Sequence, residues 1–126
     1  MLYGLLAGIT ASLFSFIINN RVISCFGDKA VVLYIPIIEE FSKTYFAFAI
    51  NGNIIFSHMV FGTVEAIYDL YNSPRKYSLT ASMLSLLSHT VLGVIAFYAI
   101  KLSGSLMFSV LLSVIIHSLW NRFITG

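Results

Sequence analysis

Charge is what this sequence has least of. Of its 126 residues, only 10% are charged and 59% are hydrophobic, whereas a soluble domain carries about 25% charged residues. So few charges cannot cover a globule with polar surface, and a lipid environment removes that requirement. Mean hydropathy is correspondingly high, at +0.94. Cysteine is equally scarce. The single Cys25 excludes an intrachain disulfide and reads as an inert apolar filler near a helix end. The net charge is only +2, and no basic run points to nucleic acid. No basic n-region or small-residue cleavage site marks the first apolar stretch, which therefore reads as a retained helix rather than a signal peptide. The length suits one domain, and there is no repeat or low-complexity tract.

What is present is a series of long apolar runs. A bilayer core of about 30 Å is crossed by about 20 helical residues. Five stretches suit that length, at about 2–18, 30–50, 54–71, 79–100 and 105–121. The fold expected is an all-α, polytopic membrane helix bundle in a single domain. Asn51-Gly52-Asn53 and Ser103-Gly104 read as turns, and Asn72-Ser73-Pro74-Arg75-Lys76 as a polar loop. Short connections force neighbouring helices to run antiparallel. Arg21, Lys29, Arg75, Lys76 and Arg122 then share one side, against Lys101 on the other. By the positive-inside rule the N-terminus lies outside and the C-terminus in the cytosol. Tyr68, Tyr71, Tyr77 and Trp120 fall near the inner boundary as an aromatic belt. Gly4, Ala7, Gly8 and Ala11 give the first helix a face for close packing.

Against this background a few residues are out of place. Glu39, Glu40, Lys43, Glu65 and His89 all lie inside expected spans. A charged group at a helix centre costs roughly 2.5–3.5 kcal/mol on insertion scales, so these groups must pair, share protons or line water. At 1.5 Å per residue, Glu39 lies about 14 Å, Glu65 about 9 Å, His89 about 15 Å and His117 about 6 Å from the cytosolic ends of their helices. Four antiparallel helices thus bring polar groups to the same half of the membrane. Glu39 and Glu40 stand four and three residues before Lys43, which can neutralise one of them. Glu40 is the expected partner of that ion pair, and a second catalytic carboxylate is its alternative role. Phe61 and Glu65, His89 and Gly93, and His117 and Asn121 are also four apart, and Gly93 is expected to leave room beside His89. Pro36 should bend the second helix just before Glu39.

Glu39-Glu40-Phe41-Ser42-Lys43 reads as EExxK and Phe61-Gly62-Thr63-Val64-Glu65 as FxxxE. His89 to Gly93 reads as HxxxG and His117-Ser118-Leu119-Trp120-Asn121 as HxxWN. In this order, over about residues 36 to 122, the chain resembles PrsW-like intramembrane proteases. They belong to the superfamily of CAAX-processing and bacteriocin-immunity membrane proteases. The resemblance implies an endopeptidase of a prokaryotic plasma membrane with its site in the cytosolic half. Its substrate would be a membrane-anchored protein, of the anti-sigma-factor kind or with a lipidated tail. It implies Glu39 as general base on a water, Glu65 where the CAAX branch has histidine, and His117 with Asn121 as holders of the oxyanion. His89 would be a further member of the site. Relatives carry additional helices, and a homodimer is one way for a shorter bundle to enclose a substrate.

Amide hydrolysis needs an activated water, a stabilised oxyanion and a proton for the leaving amine. A carboxylate taken out of water becomes a stronger base. Three ionised glutamates with one lysine would leave a charge of about −2, which two arrangements relieve. Protons can be shared among the glutamates and His89, or a divalent metal such as zinc can bind Glu39, Glu65, His89 and His117. No HExxH helix is present to favour the second. The remaining polar residues have plainer readings. Asp69 is expected to be solvated near the surface, and His58 to sit at the outer interface, far in depth from the cluster. Phe61 is expected to pack and Trp120 to belong to the belt. Beside the protease stand two other readings: a non-catalytic scaffold or immunity-type protein, and a proton or cation pathway.

Overall fold

No glycine or proline interrupts the sequence between Gly8 and Gly27, and the first helix runs that whole way. A computed structural model covering Met1–Gly126 contains helices only. These are α1 (Leu2–Phe26), the five-residue α2 (Lys29–Leu33), α3 (Ile35–Ala49), α4 (Ile54–Asn72), α5 (Ser78–Ser103) and α6 (Leu106–Thr125). α1 stops where Gly27 takes φ +62, in the left-handed region that favours glycine. Gly104, at φ +66, ends α5 in the same way. α4 and α6 start on side-chain caps: Asn53 Oδ1 accepts from the Phe56 amide at 2.8 Å, and Ser105 Oγ from the Phe108 amide at 3.2 Å.

Two boundaries differ from expectation. α1 does not end near Ile18 but continues through Asn19, Asn20 and Arg21. The stretch expected as one helix over 30–50 is two, broken at Tyr34. Pro36 is the cause. It sits in the first turn of α3, has no amide hydrogen to donate back into α2, and its ring crowds the carbonyl four residues earlier.

The long helices form a closed ring. α1 packs on α3 and α4, α5 on α4 and α6, and α6 on α3, while α3 also reaches α4. The α4–α5 contact is the most extensive. Small residues let α1 approach closely: Gly4, Ala7, Gly8, Ala11, Ser12 and Ser15 are its buried residues. Hydroxyl bonds also join helices inside the ring. Ser15 pairs with Ser42 at 3.0 Å, Ser57 donates to the Lys43 carbonyl at 3.1 Å, and Ser109 to the Ala96 carbonyl at 2.9 Å.

The distribution of polarity is inside out. Thirteen buried side chains are polar or charged and twelve are hydrophobic, while Leu, Ile and Phe side chains cover the outside. α1, α5 and α6 are each long and apolar enough to cross a membrane. The chain is therefore an all-helical membrane protein.

Candidate functional site

α3 carries three ionisable groups on one face, and each meets a different neighbour. Lys43, fully buried, donates to Glu40 Oε1 at 2.6 Å and to His89 Nδ1 at 2.8 Å. Its ammonium also lies 4.3 Å from the centre of the Phe61 ring, so Phe61 packs as expected and adds a cation–π contact. His89, from α5, turns its Nε2 to Glu65 Oε2 on α4. His117, from α6, turns its Nδ1 to Glu40 Oε1 at 2.8 Å. Glu39 is held by α1, because Asn19 Nδ2 donates to its Oε1 at 2.9 Å. Glu39, Glu40, Lys43, Glu65, His89 and His117 thus converge from four helices, as their spacing predicts.

Hydrogen-bond roles follow from these partners. An ammonium only donates, so His89 accepts at Nδ1 and carries its proton on Nε2, which donates to Glu65. A carboxylate only accepts, so His117 carries its proton on Nδ1. That leaves the lone pair of His117 Nε2 unengaged, 3.9 Å from Glu39 Oε2. Glu40 is wholly buried and tied to Lys43 and His117, which is the structural pairing expected of it. Glu65 keeps about a third of its side chain exposed, at 36%.

Glu39 and His117 face a cavity of about 530 Å³. Its lining comes from the C-terminal halves of α1, α4 and α6, the N-terminal half of α5 and the start of α3. All of these lie at one end of the antiparallel ring. Asn121 stands on the cavity wall, where its Nδ2 donates to the Val31 carbonyl at 2.9 Å and holds α6 against α2. One amide hydrogen of Asn121 is left for another acceptor.

Several residues behave differently from their sequence readings. His58 is not interfacial: it is fully buried, 3.1 Å from Thr44 Oγ1 and 3.7 Å from Glu40 Oε2. Asp69 is half-buried rather than simply solvated, and its Oδ2 accepts from Ser85 Oγ at 2.5 Å. Gly93 makes room for His58, not for His89, which is seated on Gly62. Trp120, expected in the inner belt, also lines the cavity beside Asn121. Asn19 was missed because the expected first helix stopped one residue short of it. The signal was the absence of any breaker before Gly27.

Glu39, His89 and His117 each offer a donor atom, all within 4.8 Å of one another. Carboxylate and imidazole are zinc-type donors. Glu39 and His117 each have a donor atom free, whereas both nitrogens of His89 are engaged, one by the Lys43 ammonium and one by Glu65. A metal on this cluster would reach His89 only by displacing one of those two bonds, while Glu65, partly exposed, keeps one oxygen free. No family model, curated protein or solved structure matches this chain.

Proposed function

We propose that the chain is an intramembrane endopeptidase that hydrolyses a peptide bond of a membrane-anchored protein with a glutamate-activated water. One observation carries this reading. Glu39 Oε2 and His117 Nε2 accept no hydrogen bond and stand 3.9 Å apart at the edge of the cavity, with the Lys43 ammonium 4.0 Å from Glu39 Oε2. A water bridging them gives one hydrogen to each and turns its oxygen lone pairs toward the cavity, where a carbonyl carbon can be attacked. Glu39 takes the proton as the carbon–oxygen bond forms. It then returns that proton to the leaving nitrogen as the carbon–nitrogen bond breaks, so water and amide become acid and amine. The unengaged amide hydrogen of Asn121, on the cavity wall, is a candidate donor for the oxyanion. Glu40 and Lys43 take no part in the transfer and hold His117 and His89 in place.

This reading includes a topology. α2 with α3, and α4, cross the bilayer alongside α1, α5 and α6, giving five crossings with the N-terminus outside. The cavity then opens to the cytosolic half, where an anti-sigma-factor-like protein or a lipidated tail in a prokaryotic plasma membrane would present its peptide bond. A pair of such chains is one way to complete the enclosure. A through-pathway for ions has less support, because Ala7, Ala47, Ile54 and Ala96 close the bundle away from the cavity.

The test uses liposomes containing the full chain and a single-span peptide with a fluorophore and quencher flanking its inner boundary. Wild type should separate the pair, and Glu39→Gln should fold without doing so. Equal behaviour of the two proteins would reject the protease. Metal content measured on the same wild-type sample should be well below one equivalent.

A further inference from the structure

α4 and α5 repeat one short pattern. His58-Met59-Val60-Phe61-Gly62 and His89-Thr90-Val91-Leu92-Gly93 both read HxxxG, and residues four apart share a helix face. In the antiparallel pair each histidine sits on the glycine of the other helix. A Cβ on Gly93 would lie 2.6 Å from the Cβ of His58, and one on Gly62 would lie 2.8 Å from the Cβ of His89. The result is a reciprocal clasp that fixes two buried imidazoles against the two members of one ion pair. His89 meets Lys43, and His58 faces Glu40.

The His58 ring has little freedom in this seat. The Thr44 hydroxyl stands 3.1 Å from Nε2 and can donate to it, which leaves the ring proton on Nδ1. Nδ1 points at Glu40 Oε2 across 3.7 Å, and both atoms are buried with no other partner. An otherwise orphaned donor and acceptor facing each other in a dry interior complete a bond on slight closure. Glu40 would then be gripped from both sides, by Lys43 and His117 on Oε1 and by His58 on Oε2.

We propose that His58 is a positioning residue of the site. By holding Oε2 it keeps Oε1 of Glu40 aimed at His117 Nδ1, which in turn keeps the lone pair of His117 Nε2 directed at Glu39. His58 touches neither the water nor the substrate and acts through Glu40. The proposal rests on the proteolytic reading only for its kinetic consequence.

The experiment compares three substitutions in the full chain: His58→Phe, which keeps a ring in the clasp without nitrogens, His58→Asn, whose amide nitrogen can replace Nδ1, and His58→Gln, which can replace Nε2. Nitrogen-15 NMR of the His117 imidazole in micelles reads the tautomer without any need for activity. Wild type and His58→Asn should show the Nδ1–H form, while His58→Phe and His58→Gln should lose at least half of it. In the liposome assay, kcat of His58→Phe should fall at least tenfold with KM unchanged, and His58→Asn should recover more than His58→Gln. A wild-type tautomer in His58→Phe, or in His58→Gln should the Phe variant not fold, overturns the proposal. So does recovery by Gln equal to that by Asn. If wild type cleaves nothing, the protease reading fails alone, and the tautomer comparison still decides the role of His58.

Discussion

The two ends of this bundle are held together by opposite means. Away from the cavity, Ala7, Ala47, Ile54 and Ala96 meet directly, with Phe46 and Ile100 packed around them. Helices there close because their side chains are small, and close approach is itself the attraction where lipid is as apolar as leucine. At the cavity end, Glu39, Glu40, Lys43, Glu65, His89 and His117 bridge the helices without filling the space between them. Ionic and hydrogen-bonded contacts act along directions, so they fix helices at a distance and leave an opening. One end needs volume matched to volume, and the other needs every partner present. The two ends should therefore fail differently.

The largest loss of stability is expected at the cavity end, from Lys43→Met. Removing one partner of a buried pair leaves an uncompensated charge and costs about 3–5 kcal/mol. Here the cation holds both Glu40 and His89. Adding Glu40→Gln to Lys43→Met should restore part of the loss, and unfolding in mild detergent reads both. A double variant no more stable than the single one would mean that charge pairing is not what holds this end.

Next comes a change expected to affect chemistry and spare stability. Glu39→Gln keeps an acceptor for Asn19 but cannot take a proton from water, and a positioned general base is worth roughly 10²–10⁴-fold in rate. Cleavage in liposomes should drop by that factor while the unfolding midpoint moves little. A midpoint that falls as far as in Lys43→Met would make Glu39 structural.

This contrast explains which features were legible in the sequence. Glu39, Glu40 and Lys43 stand at helical spacing, and depth along antiparallel helices brought Glu65, His89 and His117 to the same half of the bundle, so the convergence could be read from spacing and depth together. His58 could not. Counting along α4 placed it near the other interface, but Thr44 lies one turn beyond Glu40 on α3, and α4 packs so that His58 meets both. Gly93 shows the same limit. Spacing paired it with His89 on its own helix, whereas the room a glycine leaves is used by the neighbouring helix. Asn19 was lost with a helix end, since polar residues suggested a loop where only Gly27 breaks the helix. The bend at Pro36 was legible, but the break falls at Tyr34 rather than just before Glu39, because the proline ring crowds the turn that precedes it.

The sealed side is probed by Gly8→Ala. The added Cβ would lie 2.6 Å from Val60 Cβ and 2.7 Å from the Ser57 carbonyl oxygen. A backbone carbonyl in a helix cannot swing aside, so α1 and α4 must separate. Overpacking of this kind costs roughly 1–3 kcal/mol. The unfolding midpoint should fall while cleavage by the folded fraction stays at the wild-type rate, because Glu39 and His117 sit in the other half. Gly62→Ala makes the matched case at the cavity end: its Cβ would lie 2.8 Å from His89 Cβ, and it should lower the cleavage rate. If both substitutions slow cleavage equally, the two ends are not independent.

The smallest effect is expected from Asn53→Ala. Asn53 Oδ1 accepts from the Phe56 amide at 2.8 Å and starts α4 at an exposed turn. Losing such a cap costs about 1 kcal/mol, and Asn53→Gly should cost a few tenths, because glycine suits the same backbone and lets water reach the amide. This turn joins α3 to α4 on the side away from the cavity, so the loss should appear in unfolding and in amide exchange over the first turn of α4. Exchange at His89 and His117 should not change. Faster exchange at those two residues would show that the start of α4 sets the register of the whole α4–α5 pair, and that the closed side governs the open one.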